Sequence, residues 1–452
     1  MYCNGCNTEF TENGQIHLSY TLYGGGYKTT VNSTHVVVRA SGYIHPSYTG
    51  GHHNVIGGSY QGSVEGDTYL EITGNLQVSG GSHINPGCMK GDGGSGDGAG
   101  VSNLYVGGNA TLVYDNGNTD ARPAIEGTYG CEMKGDVTLD VRAGVVLGIV
   151  GAEEPVEESI IRGNLRIIAG SPSYENTDRI LRLGGNWPIV GAGNSFATMP
   201  GTVGNYTIGG NITIDSYENV WGWDKGTTPN SYDLPEIYGA IRGTVGGNIT
   251  ISAHGSHVQN IFGASDSDVS GAVTVTAADV ELRNSEYGTD DDEGYIFGLW
   301  EKGTPATANG PVTINVNGGD VGLVMATDQT TVPAGSSINV TGKPNIRTGI
   351  RGTQATRYSA DFPVANISSC EATIPYIKMM SQVNVTDNSN VTAHIMSSDA
   401  GLNVEENSAL ITDEGQVWIW GDAVVDGTWE QQYHQAANYN DIFVSGKTTV
   451  GP

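Results

Sequence analysis

Basic residues are scarce in this sequence. Lys and Arg total 20 against 48 Asp and Glu, which gives a formal net charge of −28. Such a charge repels phosphate backbones and anionic lipid headgroups at ordinary ionic strength, and we therefore expect no nucleic-acid partner. The sequence also lacks an apolar run of the roughly 18 to 20 residues that cross a bilayer, so we expect no membrane insertion.

Long runs of helix-forming residues are missing as well. Charged residues make up only 15% of the chain, whereas glycine contributes 68 residues, about twice its usual share. This composition argues against a helical solenoid. The segment from Met1 to Gln15 has neither the basic nor the apolar region of a signal peptide. We expect the chain to be an excerpt of a larger extracellular protein.

Cysteine is rare and odd in number, at five residues. Cys3 and Cys6 form a CxxC pair, which without further ligands favours a local disulfide or inert thiols over zinc or redox chemistry. Cys88 and Cys131 lie in two similar segments, Gly-Cys-Met-Lys-Gly-Asp and Gly-Cys-Glu-Met-Lys-Gly-Asp. Equivalent positions in nearby repeats would place these two thiols close together. Cys370 lies far from both in the sequence.

The sequence is rich in a short repeat, which consists of a β-branched residue, any residue and glycine. Its copies are Val55-Ile56-Gly57, Ile125-Glu126-Gly127, Ile149-Val150-Gly151, Ile189-Val190-Gly191, Ile237-Tyr238-Gly239, Ile261-Phe262-Gly263, Ile296-Phe297-Gly298 and Ile350-Arg351-Gly352, with degenerate copies that begin at Ile84 and Leu323. The shortest interval between starts is 24 residues, from Ile125 to Ile149. A coil of that length holds three short strands and three turns. The interval of 48 residues from Ile189 to Ile237 would fit two coils.

A second motif follows these anchors, in which apolar residues alternate with Thr or another polar residue. Its copies are Asn75-Leu76-Gln77-Val78, Asn109-Ala110-Thr111-Leu112, Asp136-Val137-Thr138-Leu139, Asn164-Leu165-Arg166-Ile167, Asn211-Ile212-Thr213-Ile214, Asn248-Ile249-Thr250-Ile251, Ala272-Val273-Thr274-Val275 and Pro311-Val312-Thr313-Ile314. Period-two alternation places the apolar side chains on one face of a strand. Stacked coils would then form parallel sheets, with Gly-Asn corners that permit positive φ and side-chain stacking. The predicted fold is all-β, a right-handed parallel β-helix (β-solenoid) with variable loop inserts.

The ends of such a stack need protection. We therefore divide the chain into an N-terminal cap or first coils (1–50), β-solenoid coils (51–400) and C-terminal coils or cap (401–452). From Val55 to Gly352 the repeat resembles the glycine-rich repeat regions of large surface proteins in Gram-positive gut bacteria. The resemblance implies an adhesin-like, wall-associated segment and transfers no catalytic residue.

Inserts between coils are candidate binding loops, because function concentrates on loops that a rigid scaffold holds. The candidate ligand-binding residues in the two inserts are Tyr217, Trp221, Trp223, Asp224, Tyr232, Asp233, Tyr295 and Trp300. Aromatic faces pack on the C–H side of a pyranose, and carboxylates accept hydrogen bonds from its hydroxyls. These side chains predict a site for a host glycan or a host surface or secreted protein. The alternative is that the rings cover one end of a sheet.

The second insert also carries four consecutive acidic residues, Asp290, Asp291, Asp292 and Glu293. Hard cations prefer several carboxylate oxygens, so these acids are candidate Ca²⁺ ligands, and a solvated loop is the alternative. No other feature requires a cofactor. The sparse histidines, His83 among them, are interpreted as surface residues.

Two classes of function remain open. The favoured one is a cell-surface adhesin-like module that binds host glycan or protein without catalysis. The other is a polysaccharide lyase or glycoside hydrolase, which needs two acids held roughly 5 to 10 Å apart on a rigid face. No strand motif displays such a pair, and Lys and Arg do not gather where a lyase needs a base. A non-binding structural stalk is a third interpretation.

Overall fold

The computed structural model describes residues 1–18, 21–44, 54–78, 82–89, 103–117, 122–153, 159–175, 177–184, 188–193, 206–222, 234–283, 294–301, 303–354, 362–413, 416–432 and 442–451. These residues form an all-β fold, and the one helix among them is a 3-10 turn, Pro172–Tyr174. No helix in this described set has the length and apolar character that a membrane-spanning segment needs. Contacts divide the chain into two compact units, Met1–Ile249 (unit 1) and Thr250–Pro452 (unit 2).

The strands are short and numerous in both units. Those of unit 1 are β1 (Asn7–Phe10), β2 (Gln15–Leu18), β3 (Leu22–Tyr23), β4 (Thr34–Val38), β5 (Ser41–Ile44), β6 (Val55–Ile56), β7 (Thr68–Ile72), β8 (Leu76–Val78), β9 (His83–Asn85), β10 (Tyr105–Val106), β11 (Ala110–Asp115), β12 (Ala124–Tyr129), β13 (Glu132–Met133), β14 (Val137–Val146), β15 (Ile149–Glu153), β16 (Ile160–Ile161), β17 (Leu165–Ala169), β18 (Leu181–Leu183), β19 (Ile189–Ala192), β20 (Tyr206–Ile208), β21 (Ile212–Ser216), β22 (Val220–Gly222), β23 (Ile237–Ile241) and β24 (Gly243–Val245). The remaining strands are β25 (Ile249–His254), β26 (His257–Val258), β27 (Ile261–Ser265), β28 (Asp268–Val269), β29 (Val273–Ala278), β30 (Glu281–Leu282), β31 (Tyr295–Trp300), β32 (Thr307–Ala308), β33 (Val312–Asn317), β34 (Asp320–Thr327), β35 (Ser337–Gly342), β36 (Asn345–Arg351), β37 (Val364–Thr386), β38 (Asn390–Val404), β39 (Ala409–Thr412), β40 (Val417–Ile419), β41 (Asp422–Val425), β42 (Thr428–Gln431), β43 (Ile442–Val444) and β44 (Thr448–Val450).

Each strand of unit 1 pairs in parallel with its counterpart in the next coil. The Ile-x-Gly strands form an anchor ladder in the order β3, β6, β9, β12, β15, β19 and β23. The strands of alternating polarity form a second ladder, here called the alternating ladder, in the order β1, β4, β7, β11, β14, β17 and β21. Strands β10, β13, β16, β20 and β24 form a third ladder. In the chain order of a coil, for example β12, β13 and β14, its strand comes after the anchor strand and before the alternating strand. This stacking in register confirms the predicted parallel β-solenoid.

Unit 2 is built on the same principle. Its anchor strands are β27, β31, β34 and β36, and its alternating strands are β29, β33 and β35. The long strand β37 pairs with β35 through its first residues and with β36 farther along, so that it runs through both ladders. Strand β38 pairs with β37, and the stack continues from β38 to β39 and β42 and from β38 to β40 and β41.

The anchor ladder differs from the sequence prediction at two coils. Ile189 pairs directly with Ile237, so the 48-residue interval is one coil with a long insert, and the prediction of two coils is wrong. Ile296 pairs with Val324. Val324 rather than Leu323 is therefore the anchor of that coil, and it is the fully buried residue of the two. Extra residues enter the turns and leave the pairing intact, because each coil contacts only its neighbours.

The alternating ladder differs at one coil. Ala110 pairs with Thr68, and Asp67 is therefore the counterpart of Asn109. The strand that follows Asn75, β8, belongs instead to a short ladder with β2 and β5. Strands β17 and β21 alternate buried and more exposed residues, as the period-two pattern predicts.

The anchor glycines face the core, where neighbouring atoms leave no room for a Cβ atom. A Cβ at Gly151 would lie 2.1 Å from Leu165 Cδ2 and 2.3 Å from the carbonyl oxygen of Gly191. At Gly263 in unit 2, the same atom would lie 2.3 Å from Val273 Cγ1 and within 2.4 Å of a carbonyl oxygen in the next coil. The glycine column thus lets the alternating strand of the same coil pack against the anchor strand.

The Gly-Asn corners stack through their side chains, as predicted. Asn164 Oδ1 accepts a hydrogen bond from the Asn211 backbone N–H at 2.9 Å, and Asp136 Oδ1 accepts one from the Asn164 N–H at 2.7 Å. The prediction of positive φ at these corners is wrong, since neither Gly163 nor Gly210 has one. A Cβ at Gly210 would lie 2.5 Å from Asn164 Oδ1, so glycine makes room for the side chain of the previous coil.

The stacked corner predicts that Asp136→Asn stabilises unit 1 by about 0.5 kcal/mol. The new amide keeps the oxygen that accepts from Asn164 and adds a donor toward Asn109, as Asn211 Nδ2 donates to Asn164 at 3.1 Å. Urea unfolding measures the change. The converse change, Asn164→Asp, is the control, because it removes a donor and places two carboxylates on neighbouring corners. Equal destabilisation by both substitutions would contradict the stacking.

Candidate functional site

The structure describes four of the predicted ligand-binding residues, Tyr217, Trp221, Tyr295 and Trp300. The other predicted site residues lie outside the described residues; they are Trp223, Asp224, Tyr232 and Asp233 and the four candidate calcium ligands Asp290, Asp291, Asp292 and Glu293.

In unit 2, Tyr295 and Trp300 pack against the anchor phenylalanines. The Trp300 ring stacks on Phe262 with centroids 4.4 Å apart, and the Tyr295 ring meets Phe297 edge-on at 5.7 Å. Both phenylalanines are buried, and the two predicted site residues are half-buried over them. The Tyr295 and Trp300 rings therefore cover the buried phenylalanines of the anchor ladder.

In unit 1, Tyr217 and Trp221 lie beside a polar surface. Tyr217 immediately follows β21, and Trp221 lies in β22, whose backbone pairs with β18 at Arg182. Burial, and then the neighbouring Asp215 carboxylate, raises the pKa of Tyr217, whereas the Arg166 guanidinium lowers it. The Tyr217 phenol therefore lies near the charged side chains of the alternating ladder, Asp215 and Arg166.

The outward side chains of the alternating ladder in unit 1 form what we call the polar face. It consists of Arg39, Tyr69, Glu71, Asp115, Asp140, Arg142, Arg166 and Asp215, with Tyr174, Arg179 and Tyr217 in the turns beside it. The face arises because polar residues occupy the positions that alternate with the buried Val, Ile and Leu ladders.

Three acids of the polar face occupy a single column. In register along the ladder, Glu71 is followed by Val113, Asp140, Ile168 and Asp215. Successive acids are two coils apart, which corresponds to roughly 9.6 Å between their backbones. Each of these acids comes from a different strand, so the column forms only when the coils stack. The motif search missed them because each coil contributes only one residue to the column.

Each carboxylate of the polar face is paired with an arginine. Arg39 lies 3.2 Å from Glu71, Arg142 lies 2.6 Å from Asp140, and Arg166 lies 3.1 Å from Asp215. A fourth pair joins Asp115 to Arg179, and Asp115 also accepts a hydrogen bond from the Tyr174 hydroxyl. Arginines therefore do gather on one surface, contrary to the expectation from the sequence, because the fold brings together residues that are far apart in the chain.

Tyrosines are held among these ion pairs. The Tyr69 ring stacks on His35 with centroids 4.7 Å apart, and its hydroxyl donates to Glu71 at 2.7 Å. Burial, followed by this hydrogen bond, raises the pKa of Tyr69 to about 12, so the phenol remains a neutral donor. The hydrogen bond to Asp140 raises the pKa of Arg142. The face thus presents fixed positive, negative and aromatic groups.

A second polar pair lies in the anchor ladder of unit 1. His83 Nδ1 lies 2.7 Å from Glu126 Oε1, and the Glu126 side chain is 0% exposed. The other oxygen, Oε2, and the Nδ2 of the adjacent Asn85 are buried without a hydrogen-bond partner among the described residues. The interpretation of His83 as a surface histidine is wrong. A charged residue in the middle of an Ile-x-Gly anchor is the sequence signal for this pair.

The described residues contain no group of three or more His, Cys, Asp or Glu side chains arranged to hold a metal ion.

The five cysteines are free thiols. Cys88 and Cys131 are both buried, and each thiol shifts the pKa of the other, so the two similar segments lie close together as predicted.

Comparisons with known proteins give no relative for this chain. A scan against protein-family models gave no match. A search of curated proteins and a search of solved structures also gave none.

Proposed function

We propose that this chain is a glycan-binding β-solenoid and that the polar face of unit 1 is its contact surface. The observation that carries the proposal is the series of arginine–carboxylate pairs, interleaved with tyrosines, on one rigid sheet. Planar charged groups form paired hydrogen bonds with neighbouring hydroxyls, and aromatic rings pack on sugar C–H faces. Groups on strands are also held more precisely than groups on loops.

The arginines are the first groups that a ligand would meet. The Arg166 side chain is 56% exposed above Asp215, which is 16% exposed, and Arg142 is 42% exposed beside Asp140, also at 16%. A guanidinium offers five donors in a fixed fork, which suits the hydroxyls of neutral sugars and the carboxylates of acidic ones. The carboxylates beneath hold the forks in place.

The direction of the ladder suggests how a chain of sugars would lie. Coils repeat at roughly 4.8 Å, close to the length of one pyranose unit, and the acids of the column recur at every second coil. A polysaccharide that runs across the coils would therefore meet a similar carboxylate at every second sugar. In the adhesin-like setting that the repeat implies, we propose host surface or secreted glycans as the partners and the cell surface as the location.

Arg166→Ala is expected to weaken glycan binding about tenfold, because a hydrogen bond to a charged group contributes about 1.5 kcal/mol. Glycan arrays and mucin glycans would first identify a ligand of the wild-type chain, and calorimetry would then compare the variants. Tyr217→Ala tests the aromatic contribution in the same way.

Arg162→Ala is the matched control. Arg162 is 59% exposed and pairs with Glu132 at 2.6 Å, but it lies on the third ladder and away from the polar face. Its removal should leave affinity unchanged. A folded wild-type protein that binds no glycan, or equal losses from both arginine variants, would contradict the proposal.

Polysaccharide cleavage is the second candidate, and the column of Glu71, Asp140 and Asp215 is the observation that favours it. Acids on a rigid face at this separation approach the geometry of inverting hydrolases. Incubation with pectin, alginate and mucin glycans would detect new chain ends. Turnover that Asp140→Asn abolishes would establish an enzyme, whereas binding without turnover supports the first proposal.

A further inference from the structure

Three sulfur atoms meet in the interior of unit 1. Cys131 Sγ lies 3.7 Å from Met133 Sδ, and a Cβ at Gly87, beside Cys88, would lie 3.0 Å from the same Met133 Sδ. The Cys88 and Cys131 thiols are near enough for each to shift the pKa of the other. The exposed fractions of Cys88, Cys131 and Met133 are 0%, 3% and 0%. Met133 lies in β13, two residues after Cys131, and Cys88 comes from an earlier coil. The fold therefore gathers two thiols and one thioether without solvent between them.

This donor set selects among metals. Thiolate and thioether sulfur bind Cu(I) in preference to hard cations. Three sulfur ligands that surround one ion in a trigonal arrangement, each about 2.3 Å from it, lie roughly 4 Å from one another. The Cys131 Sγ–Met133 Sδ distance of 3.7 Å is close to this value. Structural zinc needs four ligands, and the described residues offer no His, Asp or Glu that completes a set with these cysteines. The geometry therefore fits a three-coordinate soft ion better than zinc.

Burial of all three sulfur atoms also affects how an ion would bind. A cation that binds both cysteines displaces their thiol protons, so uptake should release protons. Zero exposure means that uptake by the folded protein should be slow.

We propose that Cys88, Cys131 and Met133 form a buried trigonal site for one Cu(I) ion. The ion would join two coils of unit 1 through side chains that come from separate segments of the chain. Nothing in this assignment depends on glycan binding.

The test is an anaerobic titration of the reduced protein with Cu(I) buffered by bicinchoninate, equilibrated overnight. The Cys3→Ser/Cys6→Ser background removes the terminal CxxC, which could bind copper by itself. We expect one equivalent bound, with sulfur-only coordination in X-ray absorption spectra. Ag(I) should compete for the site, and a tenfold excess of Zn(II) should not.

Three variants in that background locate the ion. Cys88→Ser and the volume-conserving Met133→Leu should each weaken Cu(I) retention at least tenfold, whereas Cys370→Ser, which alters a buried thiol in unit 2, should leave it unchanged. Circular dichroism confirms that each variant is folded. Failure of the Cys3→Ser/Cys6→Ser protein to retain Cu(I), or full affinity in Met133→Leu, would overturn the proposal.

Discussion

Gly263→Ala is expected to destabilise unit 2 by about 3 kcal/mol, at the upper end of ordinary overpacking. Its Cβ would fall 2.3 Å from Val273 Cγ1 and 2.4 Å from the Gly298 carbonyl oxygen. The first atom belongs to a stiff β-branched side chain and the second to the backbone, so neither moves easily. The cost exceeds the entropy gain of roughly 0.4 to 1 kcal/mol that alanine brings by restricting the unfolded chain. The urea midpoint of the unfolding transition measures the effect.

Gly303→Ala is the matched control in the same unit. Its Cβ would have no neighbour closer than an Asp266 oxygen at 3.8 Å, so stability should change by less than about 0.5 kcal/mol. Combining Gly263→Ala with Val273→Ala should recover only part of the loss, because the clash with Gly298 remains. If Gly263→Ala and Gly303→Ala behaved alike, the anchor glycine would not be a spatial requirement.

The anchor glycines explain why the sequence predicts the fold well. A position that is glycine in most coils leaves a periodic mark, and the Ile-x-Gly copies from Val55 to Ile350 gave the correct stacking at most coils. The glycine spacing does not predict the number of coils where the loops between strands vary in length. From spacing alone, the insert between Ile189 and Ile237 could not be distinguished from an additional coil, because only backbone pairing decides which strands are neighbours.

The candidate site was much less predictable. Sequence reasoning sought clustered residues in the inserts, whereas the polar face takes one or two residues from each of several coils. Arg166 and Asp215 are 49 positions apart and become neighbours only after the coils stack. Tyr217, which lies near Asp215 and Arg166, was found only because aromatic residues concentrate in the insert that follows β21. Outward positions of a strand tolerate many residues, so a functional arginine there leaves no pattern in a single sequence.

His83→Ala is expected to cost unit 1 about 3 kcal/mol, because it leaves the buried Glu126 carboxylate without a partner. One Glu126 oxygen already lacks a hydrogen bond, so the His83 ring is the contact that compensates for burial of the charge. Loss of the ring contact with Tyr129, at 5.0 Å, adds to the effect. Thermal and urea unfolding would measure the destabilisation.

His257→Ala is the control. Its partner Glu281, at 3.0 Å, is 37% exposed and also pairs with Arg283, so we expect a cost below about 1 kcal/mol.

Glu126→Val should leave the stability of unit 1 unchanged or increase it. Its register neighbours Val150 and Val190 show that this column accommodates valine, and apolar replacement of a buried charge removes its desolvation cost. If Glu126→Val proved as costly as His83→Ala, the pair would be a net source of stability. If glycan binding survived Glu126→Val, the pair would be separate from the polar face in function as well as in position.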